Sequence, residues 1–129
     1  MNLTRILVGD DQFGGSSGHL FIESFRERYR EQLRGCEVKY VADPEHFVQE
    51  AKGGNYAVLL IDLNWTNEDF GRRATDKTGF QLLDAVKGYA PIRVLWTSDA
   101  DRVREDALKH GATSCIGKTV SPEEFAGAI

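Results

Sequence analysis

The chain has 129 residues, 41% of them apolar, and no apolar run long enough to cross a bilayer. Its formal net charge of −4 is carried by mixed signs, which argues against nucleic-acid binding through a basic face and fits one cytoplasmic domain over residues 1–129. The N-terminus, MNLTRILVGDD, lacks the basic region, long apolar stretch and cleavage site of a signal peptide.

In chain order, short runs rich in Val, Ile and Leu alternate with helical patterns. Strands are predicted at Thr4–Val8, Val38–Val41, Ala57–Ile61, Ile92–Trp96 and Ala112–Ile116. AVLLID shows no polar alternation, as a strand covered on both faces requires. The first helix is predicted from a Ser cap at SSGH to Gly35, with Phe21, Phe25, Tyr29 and Leu33 on its apolar face. The second opens on Asp43 and Pro44 and stops at Gly53. The third buries Phe80, Leu83 and Val86 and stops at Gly88. The fourth carries Val103, Ala107 and Leu108 inward and ends at Gly111. The fifth begins as a capping box, Ser121 with Glu124. Five alternations of strand and helix make a parallel sheet with helices on both faces. Two connections are longer than such a fold needs, residues 12–18 and 65–79.

In a doubly wound sheet, ligands bind beyond the carboxyl ends of the strands. There the first strand gives Asp10 and Asp11, the third Asp62, the fourth Thr97 and Ser98, and the fifth Lys118. Each group alone has an ordinary explanation as a cap, a solvated turn or a surface lysine. Four of five strands delivering such groups to one rim is the signal. Adjacent acids repel unless something positive lies between them, and hard oxygen donors with room for water suit Mg²⁺. A carboxylate beside a cation, an ammonium and a hydroxyl suits phosphoryl acceptance, with Asp62 as acceptor and Thr97 and Lys118 on the phosphoryl oxygens.

The stretches ILVGDD, VLLIDLN, TGFQLLDAVK, VLWTSDAD and GATSCIGKTVSPEEF, in this order, resemble the receiver domain of two-component response regulators over Thr4–Ile129. The resemblance implies a flavodoxin-like three-layer α/β sandwich with a five-stranded parallel sheet in order 2-1-3-4-5. It implies Mg²⁺ held by Asp11, Asp62 and the backbone carbonyl of Asn64, with Asp10 acting through water. It implies phosphoryl transfer to Asp62 from a histidine kinase or phosphotransfer protein, then self-dephosphorylation, and signalling to an effector domain or partner protein, with a homodimer also open. The chain is then either part of a longer response regulator or a free-standing receiver. Asn64 and Asp99 match positions that tune the lifetime of the phosphoryl group; the equal alternative is two solvated polar residues. In the implied strand order Cys36 and Cys115 fall on opposite edge strands, roughly 19 Å apart at ~4.8 Å per strand, too far for a disulfide.

Three positions depart from the family pattern. Cys115 stands where receivers carry Tyr or Phe, Thr119 where Pro follows the lysine on a cis bond, and Thr66 where another Pro is usual. A cis bond before a non-proline residue costs about 3 kcal/mol, so the turn is either trans or strained. The helix-opening glycine is delayed to Gly79. Both long connections leave strands at the acidic rim and are candidates for governing access, with Arg72 and Arg73 as candidate partners of acids or phosphate; deletion of residues 67–75 tests this. His19, His46 and His110 show no ligand-like spacing, and Trp65 and Trp96 are candidate fluorescent reporters. Two rival readings remain. One is a receiver-like interaction module that works without phosphate, suggested by Cys115 and Thr119. The other is a haloacid-dehalogenase-like phosphatase, whose aspartate loop DLNWT loosely resembles, although Asn64 replaces that family's second acid.

Overall fold

The computed structural model describes residues 3–65 and 77–129. Five parallel strands, β1 (Thr4–Gly9), β2 (Cys36–Val41), β3 (Val58–Asp62), β4 (Ile92–Trp96) and β5 (Ser114–Ile116), form one sheet in the order β2-β1-β3-β4-β5. The helices are α1 (Gly18–Arg28), α2 (Pro44–Gly53), α3 (Lys77–Val86), α4 (Ala100–Lys109) and α5 (Pro122–Ala128). This is the doubly wound α/β architecture and strand order that the resemblance implies.

Strand side chains alternate between faces, so each strand feeds two cores. Ile6, Val8, Leu60, Val94 and Trp96 pack with Phe25, Tyr29 and Phe125 beneath α1 and α5. Leu7, Leu59, Ile61 and Leu95 pack with Phe47, Leu83, Val86 and Val103 beneath α2, α3 and α4. Burial on both sides explains why AVLLID lacks alternation: all five residues of β3 are buried.

The caps follow the sequence. The Asp43 side chain accepts from the His46 backbone N–H at 2.9 Å, with Pro44 in the first turn. The Ser121 hydroxyl accepts from the Glu124 N–H at 3.2 Å.

Three local expectations change. The first helix ends at Arg28 rather than running to Gly35. Tyr29 turns inward and is fully buried, and turns follow until Gly35, whose φ of +76° suits glycine. Phe21 and Leu108 are 42% and 50% exposed, so neither joins the core. In α1 Phe25 is the buried apolar side chain, with Tyr29 directly after the helix and Leu33 packed against the same core, and the buried face of α4 is filled by Ala100, Val103 and Ala107. The connection after β1 is not open loop throughout: Asp11–Gly14 form one 3₁₀ turn. Cys36 and Cys115 are unbridged thiols on the two edge strands. No peptide bond among the described residues is cis, so Lys118–Thr119 is trans. Residues 66–76, including Thr66, Arg72, Arg73 and most of the expected access loop, lie outside the described residues.

Candidate functional site

The sheet register gathers the site. β1 and β3 run together as far as Gly9 opposite Ile61, so Asp10 and Asp62 emerge side by side at the next position. β4 pairs Trp96 with Asp62, and β5 pairs Ile116 with Trp96, which brings Thr97 and Lys118 to the same rim. Thr97 is tied there by its backbone N–H, which donates to the Ile116 carbonyl at 3.1 Å.

Asp10 and Asp62 are 1% and 4% exposed, an unusual burial for two carboxylates. One cation touches both: Lys118 Nζ lies 2.7 Å from Asp10 Oδ2 and 3.0 Å from Asp62 Oδ1. The ammonium also sits 4.6 Å from the centre of the Trp96 ring, a cation–π contact that fixes its third side. Lys118, which the sequence places at this rim beside a metal ion, thus contacts both buried acids directly. Asp10 is held further by the Gln12 backbone N–H, which donates to Oδ1 at 3.0 Å and caps the 3₁₀ turn.

Burial pushes the Asp62 carboxyl up to about 7, the charge of Asp10 pushes the same way, and Lys118 opposes both. Burial likewise raises Asp10, against the pull of Lys118. Desolvation works against the charged form of Lys118, but the charges and hydrogen bonds of Asp62 and Asp10 outweigh it and its ammonium is held above the ordinary lysine value.

Asp11 is half-buried, and one carboxylate oxygen from each of Asp10, Asp11 and Asp62 lies within 4.8 Å of the others. When ionised, three carboxylates against one ammonium leave a charge of −2 among these four groups. An all-oxygen donor set of this kind, with excess negative charge in a desolvated pocket, fits a hard divalent cation such as Mg²⁺.

The remaining predicted residues take distinct places. Thr97 is buried, and its hydroxyl oxygen accepts from the Asp99 N–H at 3.2 Å, which leaves the hydroxyl hydrogen to donate. Asp99 turns its carboxylate to Arg102, 3.3 Å away on α4, rather than to the acids. Asn64 is exposed just beyond Asp62. Cys115 is buried against α4, its thiol 3.7 Å from the Ala100 carbonyl, and burial raises that thiol above its ordinary value.

Two residues support the site beyond what the sequence assigns them, Trp65 as a candidate reporter and Gly79 as a delayed helix-opening glycine. Trp65 is 2% exposed, and its indole N–H donates to the Asp62 backbone carbonyl at 2.6 Å. Its ring lies against Phe47 and over Gly9, where any side chain would collide with both rings. Gly79 packs onto the backbone just after Asp62, donating its N–H to the Leu63 carbonyl at 2.9 Å. The local signals are a glycine at a strand end, Gly9, and one at a helix start, Gly79, each accepting a close neighbour distant in sequence.

No family model matches the sequence, and no curated protein matches it. Solved structures do. A response regulator receiver domain protein (CheY-like) from Methanospirillum hungatei JF-1 superposes with a TM-score of 0.71 at 20% identity, covering 98% of this chain and 90% of that one. The Francisella response regulator 1452 receiver domain gives 0.69 at 17% identity, over 95% and 90% of the two chains. A Burkholderia pseudomallei response regulator, solved with a phosphorylated aspartic acid, calcium ion and citrate, gives 0.72 at 17% identity; the match covers 97% of this chain and 65% of that one. The chain thus has the receiver fold, with response regulator receiver domains as its structural neighbours along its whole length.

Proposed function

We propose that this chain is a phosphoryl-accepting signalling switch, in which Asp62 takes a phosphoryl group from a phosphohistidine of a histidine kinase or phosphotransfer protein. The observation that supports this most is the burial of Asp62 between a second buried carboxylate and Lys118. Storing a buried carboxylate at such a cost to its ionisation is the pattern of a reacting group.

In the transfer, a carboxylate oxygen of Asp62 forms a bond to phosphorus as the phosphorus–nitrogen bond of the donor breaks, and the imidazole leaves with the bonding electron pair. Lys118, already 3.0 Å from Asp62, offsets charge on the phosphoryl oxygens. Thr97 donates its hydroxyl hydrogen to one of them. Asp10, Asp11, Asp62 and the Asn64 carbonyl would hold Mg²⁺. When bound, the ion supplies positive charge to the phosphoryl oxygens and favours the ionised form of Asp62. The group is removed by hydrolysis of the acyl phosphate: water attacks phosphorus, the phosphorus–oxygen bond to Asp62 breaks, the carboxylate returns and inorganic phosphate leaves. Because Asp99 is engaged with Arg102, Asn64 is the better placed of the two polar residues to orient that water. Phosphorylation adds up to two negative charges at a bistable rim, drawing Thr97 inward and biasing β5 and α4.

Beryllium trifluoride, a phosphoryl mimic, provides the test. With Mg²⁺ it should bind the wild type saturably, read by fluorescence of Trp65 and Trp96, and should not bind Asp62→Asn. Equal binding to both proteins, or none to the wild type, would overturn the assignment and favour a module that works without phosphate.

A further inference from the structure

Lys118 is carried by Gly117-Lys118-Thr119-Val120-Ser121, five residues with one glycine and no proline. Such a segment has little stiffness of its own. Its internal hydrogen bond, from the Val120 N–H to the Gly117 carbonyl, is long at 3.4 Å. Yet the ammonium of its second residue meets two buried carboxylates and one ring face. The restraint comes from outside the turn. The Tyr29 hydroxyl donates to the Val120 carbonyl at 3.0 Å, and the Arg28 guanidinium donates to the Thr119 carbonyl at 3.1 Å. These are the two residues directly after Lys118, gripped by two adjacent residues at the end of α1.

Tyr29 is itself immobilised. It is fully buried, and its ring stacks on Phe125 of α5 with centroids 4.0 Å apart and planes 12° apart. Phe25 meets both of those rings and the Trp96 ring edge-on, and Trp96 is the surface on which the ammonium rests. The turn is therefore held through its backbone by Tyr29, while the lysine side chain is held by a ring packed against the same aromatic group. The early end of α1 acquires a reason: turning inward at residue 29 places the hydroxyl on the turn.

We propose that Tyr29, assisted by Arg28, is a positioning residue for Lys118, setting where the ammonium stands relative to Asp10 and Asp62. The geometric part stands alone; its consequence for phosphoryl uptake rests on the function proposed above.

The test uses the full chain with Tyr29→Phe, which deletes one oxygen and keeps the ring. The Lys118 side-chain CεH₂ resonance, assigned with Lys118→Arg, should carry a ring-current shift from Trp96. In Tyr29→Phe that shift should fall by half or more, in metal-free protein, and the apparent Kd for beryllium trifluoride with Mg²⁺ should rise roughly fivefold, the worth of one hydrogen bond. An unmoved Lys118 resonance in a folded Tyr29→Phe protein would overturn the proposal, whatever the change in stability. If Tyr29→Phe does not fold, Arg28→Ala, which removes the exposed tether, decides by the same resonance. If the resonance moves but the wild type binds no mimic, the positioning role stands and the phosphoryl reading falls.

Discussion

Replacing Asp62 by Asn should stabilise the metal-free protein, and increasingly so as pH rises. The reasoning starts from burial, which holds the Asp62 carboxyl at about 7 against an ordinary value of 3.8. Between those values the folded chain binds a proton that the unfolded chain has released, so stability falls with rising pH throughout that window and levels off above it. At about 1.4 kcal/mol per pH unit, the interval from 3.8 to about 7 amounts to roughly 4 kcal/mol at pH 8. Roughly a third of that has developed by pH 5, measured from the ordinary value of 3.8. The wild type should therefore lose about 2–3 kcal/mol between pH 5 and pH 8 that Asp62→Asn does not lose.

Lys118 alters the offset between the two proteins but not this slope. It loses one acidic partner in the variant, yet it is protonated across pH 5–8 in both the folded and the unfolded chain. Asp10 is present in both proteins, so their difference isolates position 62 and its coupling to Asp10. The assay is urea unfolding followed by tryptophan fluorescence, with a chelator present, at several pH values from 5 to 8. Stability curves for the two proteins that run parallel within about 0.5 kcal/mol would refute the electrostatic argument. Adding Mg²⁺ at pH 8 should then raise the wild type by mass action and leave Asp62→Asn far less changed.

The backbone around the acceptor yields two further expectations. Gly79→Ala would place a Cβ 2.6 Å from Leu63 Cα and 2.8 Å from the Asp62 carbonyl, both backbone atoms that cannot swing aside. It should cost about 2 kcal/mol or more in urea unfolding, and a cost under about 0.5 kcal/mol would contradict the packing described. Trp65→Phe keeps an aromatic ring near Phe47 but removes the donor to the Asp62 carbonyl. A loss of about 1–2 kcal/mol is expected by the same method, with no loss counting against that bond's importance.

What the sequence makes legible here is what depends on local pattern. A strand covered on both faces must be apolar along its buried run, so VLLI declares itself, and the first polar residues after each such run fall on the rim by construction. That is why Asp10, Asp62, Thr97 and Lys118 can be placed at one end of the sheet without coordinates. Contacts between residues far apart in the chain have no such signature. Nothing local says that Trp65 covers Gly9, that Tyr29 leaves its helix to grip Val120, or that Lys118 rests on Trp96. Helical spacing proposes a face but not its width, and so Phe21 and Leu108 were expected inside. The same distinction explains the departure at Cys115. Read locally, a cysteine there removes an aromatic group from the α4 side of the sheet. The structure places its aromatic mass on the other side, where Trp96, Phe25, Tyr29 and Phe125 form one contiguous packing beneath α1 and α5. A change of charge at Asp62 acts first on Lys118, and Lys118 touches that packing directly through Trp96 and, along its own turn, through Tyr29.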